Sequence, residues 1–291
     1  MTMLPRARLR ALAAGSVFAL AAGTASVLGT AQPASAAGTT MDFDCAVPVV
    51  GTQTFPVTIE STPAEALPDS STAPHVTVEV RIFQTLADML RSVFQATSIE
   101  GVIDSTMLVD TVPQQAELTI PPTGPGDPGT EMVIAAAGDL APVDVGSAGT
   151  VTDLAAGVQD VVLMLTTPQG TSPLPITCTP ADGVDTTYGH ITSTKASSTT
   201  DAAVTYSASK DKAKASATVT GSQGVAPTGK VKFVLKRGTQ KVDSVTKALT
   251  DGKASATFTG VRKTGKYSVV ATYQGSGQLG GSSDTAKFRV S

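Results

Sequence analysis

The sequence predicts an all-β protein of two β-sandwich domains in tandem, with one short helix in the first domain. Three observations point to this fold class. Short segments in both halves of the 291-residue chain alternate apolar and polar residues, which is the pattern of strands with one buried face. The chain contains 27 glycines and 18 prolines, many of them at turn positions between these segments. The charge also changes sign between the halves, which marks a domain boundary.

Residues 1–36 have the pattern of a secretory signal peptide. Three arginines within the first ten residues precede an apolar stretch rich in alanine, and Ala34–Ala36 forms an Ala-x-Ala cleavage site. A membrane anchor is the alternative, but no stop-transfer pattern follows. We expect a mature chain from about Ala37 that is secreted, either extracellular or associated with the cell wall, and not stably inserted in a membrane after cleavage.

The first predicted domain, residues 37–180, contains strands and a single helix. Clear alternation runs through His75–Phe83, and apolar residues at helical spacing then predict a helix at about 84–95. Proline and glycine predict a loop over 121–129, because neither residue sustains a strand ladder. The other predicted strands are 43–45, 55–60, 99–109, 116–120, 161–166 and 174–178.

Two cysteines, Cys45 and Cys178, lie near the start and the end of this domain. An even pair in an exported chain is most simply one disulfide. Two free reactive thiols are the alternative, but they would need a neighbouring base that neither cysteine has in the sequence. The expected bond closes a long loop, for which the chain-entropy model gives roughly 5 kcal/mol.

The net charge divides the chain into an acidic and a basic half. Residues 37–190 hold nineteen acids against two arginines, a net charge of −17, whereas residues 191–291 hold sixteen cations against five acids, a net charge of +11. The polar run 181–200 predicts a linker between them, so that the second domain spans 201–291. Opposite charges on the two domains also allow weak self-association between copies.

The second domain shows regular strand alternation. About seven short strands separated by glycine turns, within a hundred residues, predict a β-sandwich of the immunoglobulin type. The clearest alternating segments are 213–219, 231–235, 254–258, 267–273 and 286–290.

Three segments of this half, Gly229–Leu235, Gly252–Phe258 and Gly265–Gly275, resemble the bacterial immunoglobulin-like (Big) domains that are repeated on secreted and surface proteins. The resemblance covers roughly 195–291. It implies a non-catalytic spacer or adhesive module, and it places Tyr267 at the tyrosine-corner position of such a domain.

The first domain is similar to an uncharacterised domain of secreted proteins from actinobacteria, which are high-GC Gram-positive bacteria. The similarity lies in Cys-x-x-Pro-x-x-Gly-x-Gln from Cys45, a central helix, and a closing Pro-x-x-Cys that ends at Cys178. It covers about 41–180. That family has no established activity, so the resemblance implies no functional residue.

The sequence offers few candidates for catalytic or cofactor chemistry. Gly275–Gly280 matches G-x-G-x-x-G, but no helix follows to receive a pyrophosphate, so we interpret it as a hairpin loop. We interpret His75 as a strand-rim residue and His190 as a linker residue, not as members of a catalytic triad. Asp42 and Asp44 could supply two ligands, but Ca²⁺ takes six to eight. We therefore predict a protein that is not an enzyme, with no catalytic residue, cofactor or metal site.

Cations cluster on the second domain. Alternation places six of them outward on three strands that share a sheet in an immunoglobulin-type order, with no acid between them: Lys230, Lys232, Lys236, Lys266, Lys287 and Arg289. This surface is a candidate for binding an anionic cell-wall polymer. Ordinary solubilising charge is the alternative interpretation.

These observations predict a non-enzymatic, secreted or wall-associated protein of the binding or adhesion type. Its expected partners are an anionic polymer or another surface protein, and export makes nucleic acid an unsuitable natural partner. Two alternatives stay open: a structural protein of the cell surface that assembles with its own copies, and an enzyme of unknown type.

Overall fold

A computed structural model describes residues 38–48 and 50–291, and the predicted signal peptide lies outside these residues. The predicted fold class is confirmed. Strands form most of the described chain, together with one α-helix, α1 (Gln84–Ser92), and one turn of 3₁₀ helix (Ala208–Lys210). Within these ranges, no helix has both the length and the apolar character needed to cross a membrane.

The first domain has twelve strands, of which three have two residues and nine have at least seven. In chain order they are β1 (Thr39–Val47), β2 (Gly51–Thr62), β3 (Glu65–Ala66), β4 (Ser71–Thr72), β5 (His75–Ile82), β6 (Ser98–Val109), β7 (Val112–Thr123), β8 (Met132–Asp139), β9 (Val143–Asp144), β10 (Val151–Thr167), β11 (Gly170–Pro180) and β12 (Thr187–Ser193).

Eight of these strands form one antiparallel sheet that closes on itself. Their order is β1-β2-β5-β8-β7-β6-β10-β11, and β11 pairs with both β10 and β1. The two layers expected of a sandwich are therefore opposite walls of one sheet, and their inward side chains form the hydrophobic core. Strand β12 adds beside β10, and β3 pairs in parallel with β12.

Strand β10 makes this closure possible because it changes partner along its length. Its first part pairs with β12 and its second part with β11. The change occurs at a bulge between Ala156 and Gln159, where the register with β6 shifts. Gly157 lies in this bulge, and a Cβ atom there would stand 2.8 Å from the carbonyl oxygen of Thr106. Glycine therefore lets the two backbones approach closely.

Helix α1 lies where the sequence predicts it, although it ends at Ser92, before the predicted end at 95. The predicted loop over 121–129 is partly wrong, because β7 continues to Thr123. Pro121 and Pro122 fall at a register shift opposite β6, which is a position where a missing N–H is tolerated. The intervening loop runs over 124–131.

The second domain has two sheets packed face to face. One contains β13 (Ser198–Ser207), β14 (Lys212–Gly221) and β17 (Lys253–Thr259). The other has the order β16-β15-β18-β19, with β15 (Lys230–Arg237), β16 (Gln240–Ala248), β18 (Gly265–Tyr273) and β19 (Ser282–Val290). Apolar residues at alternate positions fill the space between them, with Phe233 and Phe258 among the largest buried side chains. This is the predicted immunoglobulin-type arrangement.

The structure corrects the predicted linker over 181–200. Strand β12 lies inside this range and buries Tyr188 and Ile191 in the first domain, and β13 begins at Ser198. Only 194–197 lie between the two strands. The polar residues of this run occupy exposed positions of strands, and their composition alone does not distinguish such a face from a linker.

Contacts at the junction involve the loop between β18 and β19, which contains Gly275–Gly280. Ala196 bridges to Leu279, whose side chain is buried. The side-chain Nε2 of Gln278 donates to the carbonyl oxygen of Pro68 (3.1 Å). Leu67 packs against the core of the second domain. The glycine motif is thus a hairpin loop, as predicted, and it contacts the first domain.

Candidate functional site

The closed sheet of the first domain surrounds an apolar cavity of about 110 Å³. All eight of its strands contribute lining side chains, and so does α1. Among the described residues that line the cavity, Gln159 alone is polar, apart from the sulfur atoms of the disulfide. Its amide nitrogen donates to the carbonyl oxygen of Gly157 at 3.0 Å. The cavity therefore presents hydrocarbon on nearly every side.

Helix α1 covers one end of this cavity. Leu86 and Leu90 point into it, and Ala87 is fully buried on the inner face of the helix. The apolar spacing of the helix explains this position, since residues three and four apart share one face. With nine residues and no side-chain cap at its start, the helix depends on this packing for its stability.

A polar latch joins α1 to the loop over 124–131. Arg91 donates to the carbonyl oxygens of Pro125 (2.6 Å) and Thr130 (2.9 Å), and it also contacts Asp88 (2.8 Å). Asp88 accepts a hydrogen bond from the backbone N–H of Gly129 (2.9 Å). This N–H, together with the Arg91 guanidinium, lowers the pKa of Asp88. One guanidinium nitrogen, Nη2, is buried without a partner among the described residues, so the latch is not fully satisfied.

Apolar side chains remain partly exposed at the α1 end. On the wall, Leu163 and Leu165 of β10 and Ile176 of β11 face the cavity but are only half-buried. Beside the helix, Phe83 is 44% exposed and Val93 is 70% exposed. Exposed apolar surface beside an apolar cavity is typical of a binding site.

The predicted disulfide is confirmed. Cys45 on β1 lies directly opposite Cys178 on β11, and the two are bonded with an S–S distance of 2.05 Å. The bond crosses the pair of strands that closes the sheet, and both cysteines contribute to the cavity wall. The disulfide therefore links covalently the two neighbouring strands of the cavity wall that are farthest apart in the sequence, β1 and β11.

The six predicted cations of the second domain lie on one face of one sheet. Lys236 pairs with Ser268, which pairs in turn with Lys287. Lys266 pairs with Arg289 in the neighbouring row. Because paired residues point to the same side of a sheet, these cations share a surface. We call it the cationic face, and its members are Lys230, Lys232, Lys236, Lys266, Lys287 and Arg289.

No carboxylate interrupts the cationic face among the described residues. The outward positions between the cations carry Ser268, Val270 and Thr272 on β18, and Ser283 and Thr285 on β19. Asp284 lies on the other face of β19, opposite the inward Ala271. It accepts a hydrogen bond from the backbone N–H of Ala202. This N–H lowers the pKa of Asp284 and directs its charge away from the face.

A second cationic feature, which the sequence did not predict, lies where strands of the two sheets meet. A shallow, open groove of about 740 Å³ is lined by Lys214, Lys247 and Lys253 together with hydroxyl-bearing and alanine residues. These lysines lie on β14, β16 and β17. Their convergence depends on how strands of different sheets meet, which alternation within one strand does not show.

Tyr267 is buried, and its hydroxyl donates to the carbonyl oxygen of Lys263 at 2.8 Å. Its ring stacks on Phe288, with ring centroids 5.3 Å apart. A hydroxyl that bonds to backbone four residues upstream is the contact that a tyrosine corner makes.

The two histidines lie apart, on the surface. His75 contacts Asp139 across β5 and β8 (2.7 Å), and both side chains are at least half-exposed. Among the described residues, no hydroxyl group forms a hydrogen bond with this pair. His190 lies on β12 opposite Asp153, so its predicted place in a linker is wrong.

Asp42 and Asp44 lie on β1, as their spacing indicates. Asp44 accepts a hydrogen bond from Thr54 (2.5 Å), and Asp42 is exposed. Residues 38–48 and 50–291 contain no group of three or more histidine, cysteine or acidic side chains placed to hold a metal ion.

Residues 42–189 match a family of unknown function, DUF6801. This match covers just over half of the chain. The chain belongs to this family. Residues 191–291, which follow the DUF6801 domain, match the bacterial Ig-like domain, group 3. Both resemblances inferred from the sequence are confirmed.

Solved structures with weak similarity to this DUF6801 protein include a candidate membrane-anchored protein from Corynebacterium diphtheriae. It has 12% identity and a TM-score of 0.32, over 87% of this chain and 58% of that one. The beta-glucuronidase of Ruminococcus gnavus has 11% identity and a TM-score of 0.22, over 87% of this chain and 44% of that one. The chain thus spans less than two thirds of either structure. No curated protein matches it.

Proposed function

We propose that the protein is an exported, non-enzymatic binding protein whose Ig-like domain contacts an anionic polymer of the cell envelope. The observation that carries this proposal is the cationic face, which places six cations on one sheet surface without an intervening carboxylate. Lysine ammonium groups attract phosphate oxygens as point charges, so they suit a repeating polyanion better than a single shaped ligand.

The opposite net charges of the two domains determine which domain contacts the polymer. The acidic first domain, with its net charge of −17, repels a polyanion, whereas the second domain, at +11, attracts it. The polymer therefore meets the Ig-like domain, and the DUF6801 domain is held away from it. The disulfide and the predicted signal peptide support an oxidising location outside the cytoplasm.

The test uses the mature chain and purified wall teichoic acid, a phosphate polymer, at low salt. Changing Lys230, Lys232 and Lys287 to glutamate reverses the cationic face. The matched control changes Lys212, Lys214 and Lys253 to glutamate on the opposite sheet, so both variants carry the same net charge.

We expect the wild type and the control to co-sediment with the polymer and the face variant to stay in solution. Binding should weaken steeply as salt is added, since exposed charges are screened. Equal binding by the wild type and the face variant would refute the proposed site. Loss of binding in the control alone would also refute the cationic face and would indicate the groove that Lys214 and Lys253 help to line.

A further inference from the structure

We propose that the DUF6801 domain binds an uncharged lipid-like molecule whose hydrocarbon chain occupies the cavity beneath α1. This site lies in a different domain from the cationic face and does not depend on polymer binding. Three features of the cavity carry the proposal: its lining, its shape and its opening.

The lining selects hydrocarbon. Aliphatic and phenylalanine side chains surround the cavity, and no described charged residue lines it. A buried carboxylate or ammonium group would find no partner there, which makes its transfer from water strongly unfavourable. Engineered apolar cavities of about 150 Å³ stay free of water and bind benzene. The volume of about 110 Å³ in this domain is of a similar order.

The shape selects a chain over a compact ring. On β10 the lining positions run from Gln159 to Leu165 at every second residue. Six residues of strand span about 20 Å, so the small volume is distributed along a narrow path. Closed sheets of eight strands have interiors that side chains fill or that hold one small ligand, and the cavity in this sheet leaves room for the latter.

The opening at α1 provides the route of entry. The half-buried Leu163, Leu165 and Ile176 lead inward from this end, and the exposed Phe83 and Val93 flank the helix that covers it. Nine residues of helix without a side-chain cap, held by one incompletely satisfied latch, can separate from the sheet more easily than a strand can.

The head group of the ligand is expected to be neutral. The domain carries nineteen acids against two arginines, so an anionic head at the opening meets a repulsive field. A long-chain alcohol and the fatty acid of equal length share the hydrocarbon chain and differ in this head, which makes them the discriminating pair of probes.

Titration calorimetry on the mature protein with 1-alkanols from hexanol to dodecanol tests the site. We expect affinity to rise about fourfold for each added methylene until the cavity is filled. Dodecanol should bind at least tenfold more tightly than dodecanoate at neutral pH. Absence of alkanol binding would overturn the proposal, and tighter binding of dodecanoate would overturn the neutral head.

Two neighbouring alanines on β8 provide matched variants. Ala136 is buried and lines the cavity, whereas Ala135 is exposed on the other face of the same strand. Ala136→Leu should weaken dodecanol binding at least tenfold, and Ala135→Leu should leave it unchanged. Val80→Phe is a second variant that fills the cavity, because Val80 is a half-buried lining residue. It replaces Ala136→Leu in the test if that variant does not fold.

Circular dichroism and the intact disulfide establish that each variant is folded. Wild-type affinity in a folded, cavity-filled variant would overturn the site, as would an equal loss of affinity in Ala135→Leu. The route is tested by Asp88→Ala, which removes the hydrogen bond between α1 and the backbone N–H of Gly129, together with the ion pair inside α1 that orients Arg91 toward the loop. We expect faster dodecanol association in this variant, and an unchanged rate would overturn entry at α1.

Discussion

Replacing Tyr188 by phenylalanine should make the first domain more stable. Tyr188 is 1% exposed, and its hydroxyl has no hydrogen-bond partner among the described residues. Burial also raises the pKa of this phenol, since the charged form would be desolvated. An unpaired buried hydroxyl costs about 1–3 kcal/mol. Phenylalanine removes this cost and keeps the ring in the core, so we expect the free energy of unfolding to rise by about 1 kcal/mol.

Tyr273→Phe is the matched control for this change. Tyr273 is equally buried, but its hydroxyl donates to the carbonyl oxygen of Thr228 at 2.8 Å. Its removal should lower the stability of the second domain by about 1 kcal/mol.

Urea titration followed by the amide NMR signals of each domain separates the two effects. With a slope of about 1–3 kcal/mol per molar urea, the midpoints should move in opposite directions by roughly 0.3–1 M. A loss of stability in Tyr188→Phe as large as that in Tyr273→Phe would refute the reasoning.

Three further outcomes are expected. Replacing Cys45 and Cys178 by alanine should destabilise the first domain by up to roughly 5 kcal/mol, and an unchanged urea midpoint would contradict this. Tyr267→Phe should cost about 1 kcal/mol by losing its bond to Lys263; equal thermal midpoints would show that this bond contributes nothing. Sedimentation velocity at low salt should show self-association that added salt reverses, whereas a strictly monomeric protein at high concentration would exclude pairing of the acidic and basic domains.

Sequence patterns were sufficient wherever one strand or one helix determined the outcome. Alternation over His75–Phe83 located β5, and helical spacing located α1, because a buried face imposes its period on the chain. The cationic face also followed from alternation once the order of three strands was inferred.

Features that depend on several strands were missed. Strand β8 was not predicted, since its alanines and glycine carry little strand propensity, and its pairing with β5 decides its structure. The closed sheet and its cavity were missed for a related reason. Alternation identifies inward residues such as Leu163, but it does not show how far apart the opposite walls stand.

Closure of the sheet gives the first strand an unusual dependence on the last. While the chain is being made, β1 can pair with β2 as soon as both strands exist. Its other neighbour is β11, and the paired residues Cys45 and Cys178 are 133 positions apart in the sequence. Folding therefore ends with a contact of high sequence separation, which slows the reaction. Until that moment β1 and β10 both present unpaired backbone N–H and C=O groups. A chain interrupted before Gly170, where β11 begins, keeps these two edges permanently, and such edges are templates for aggregation.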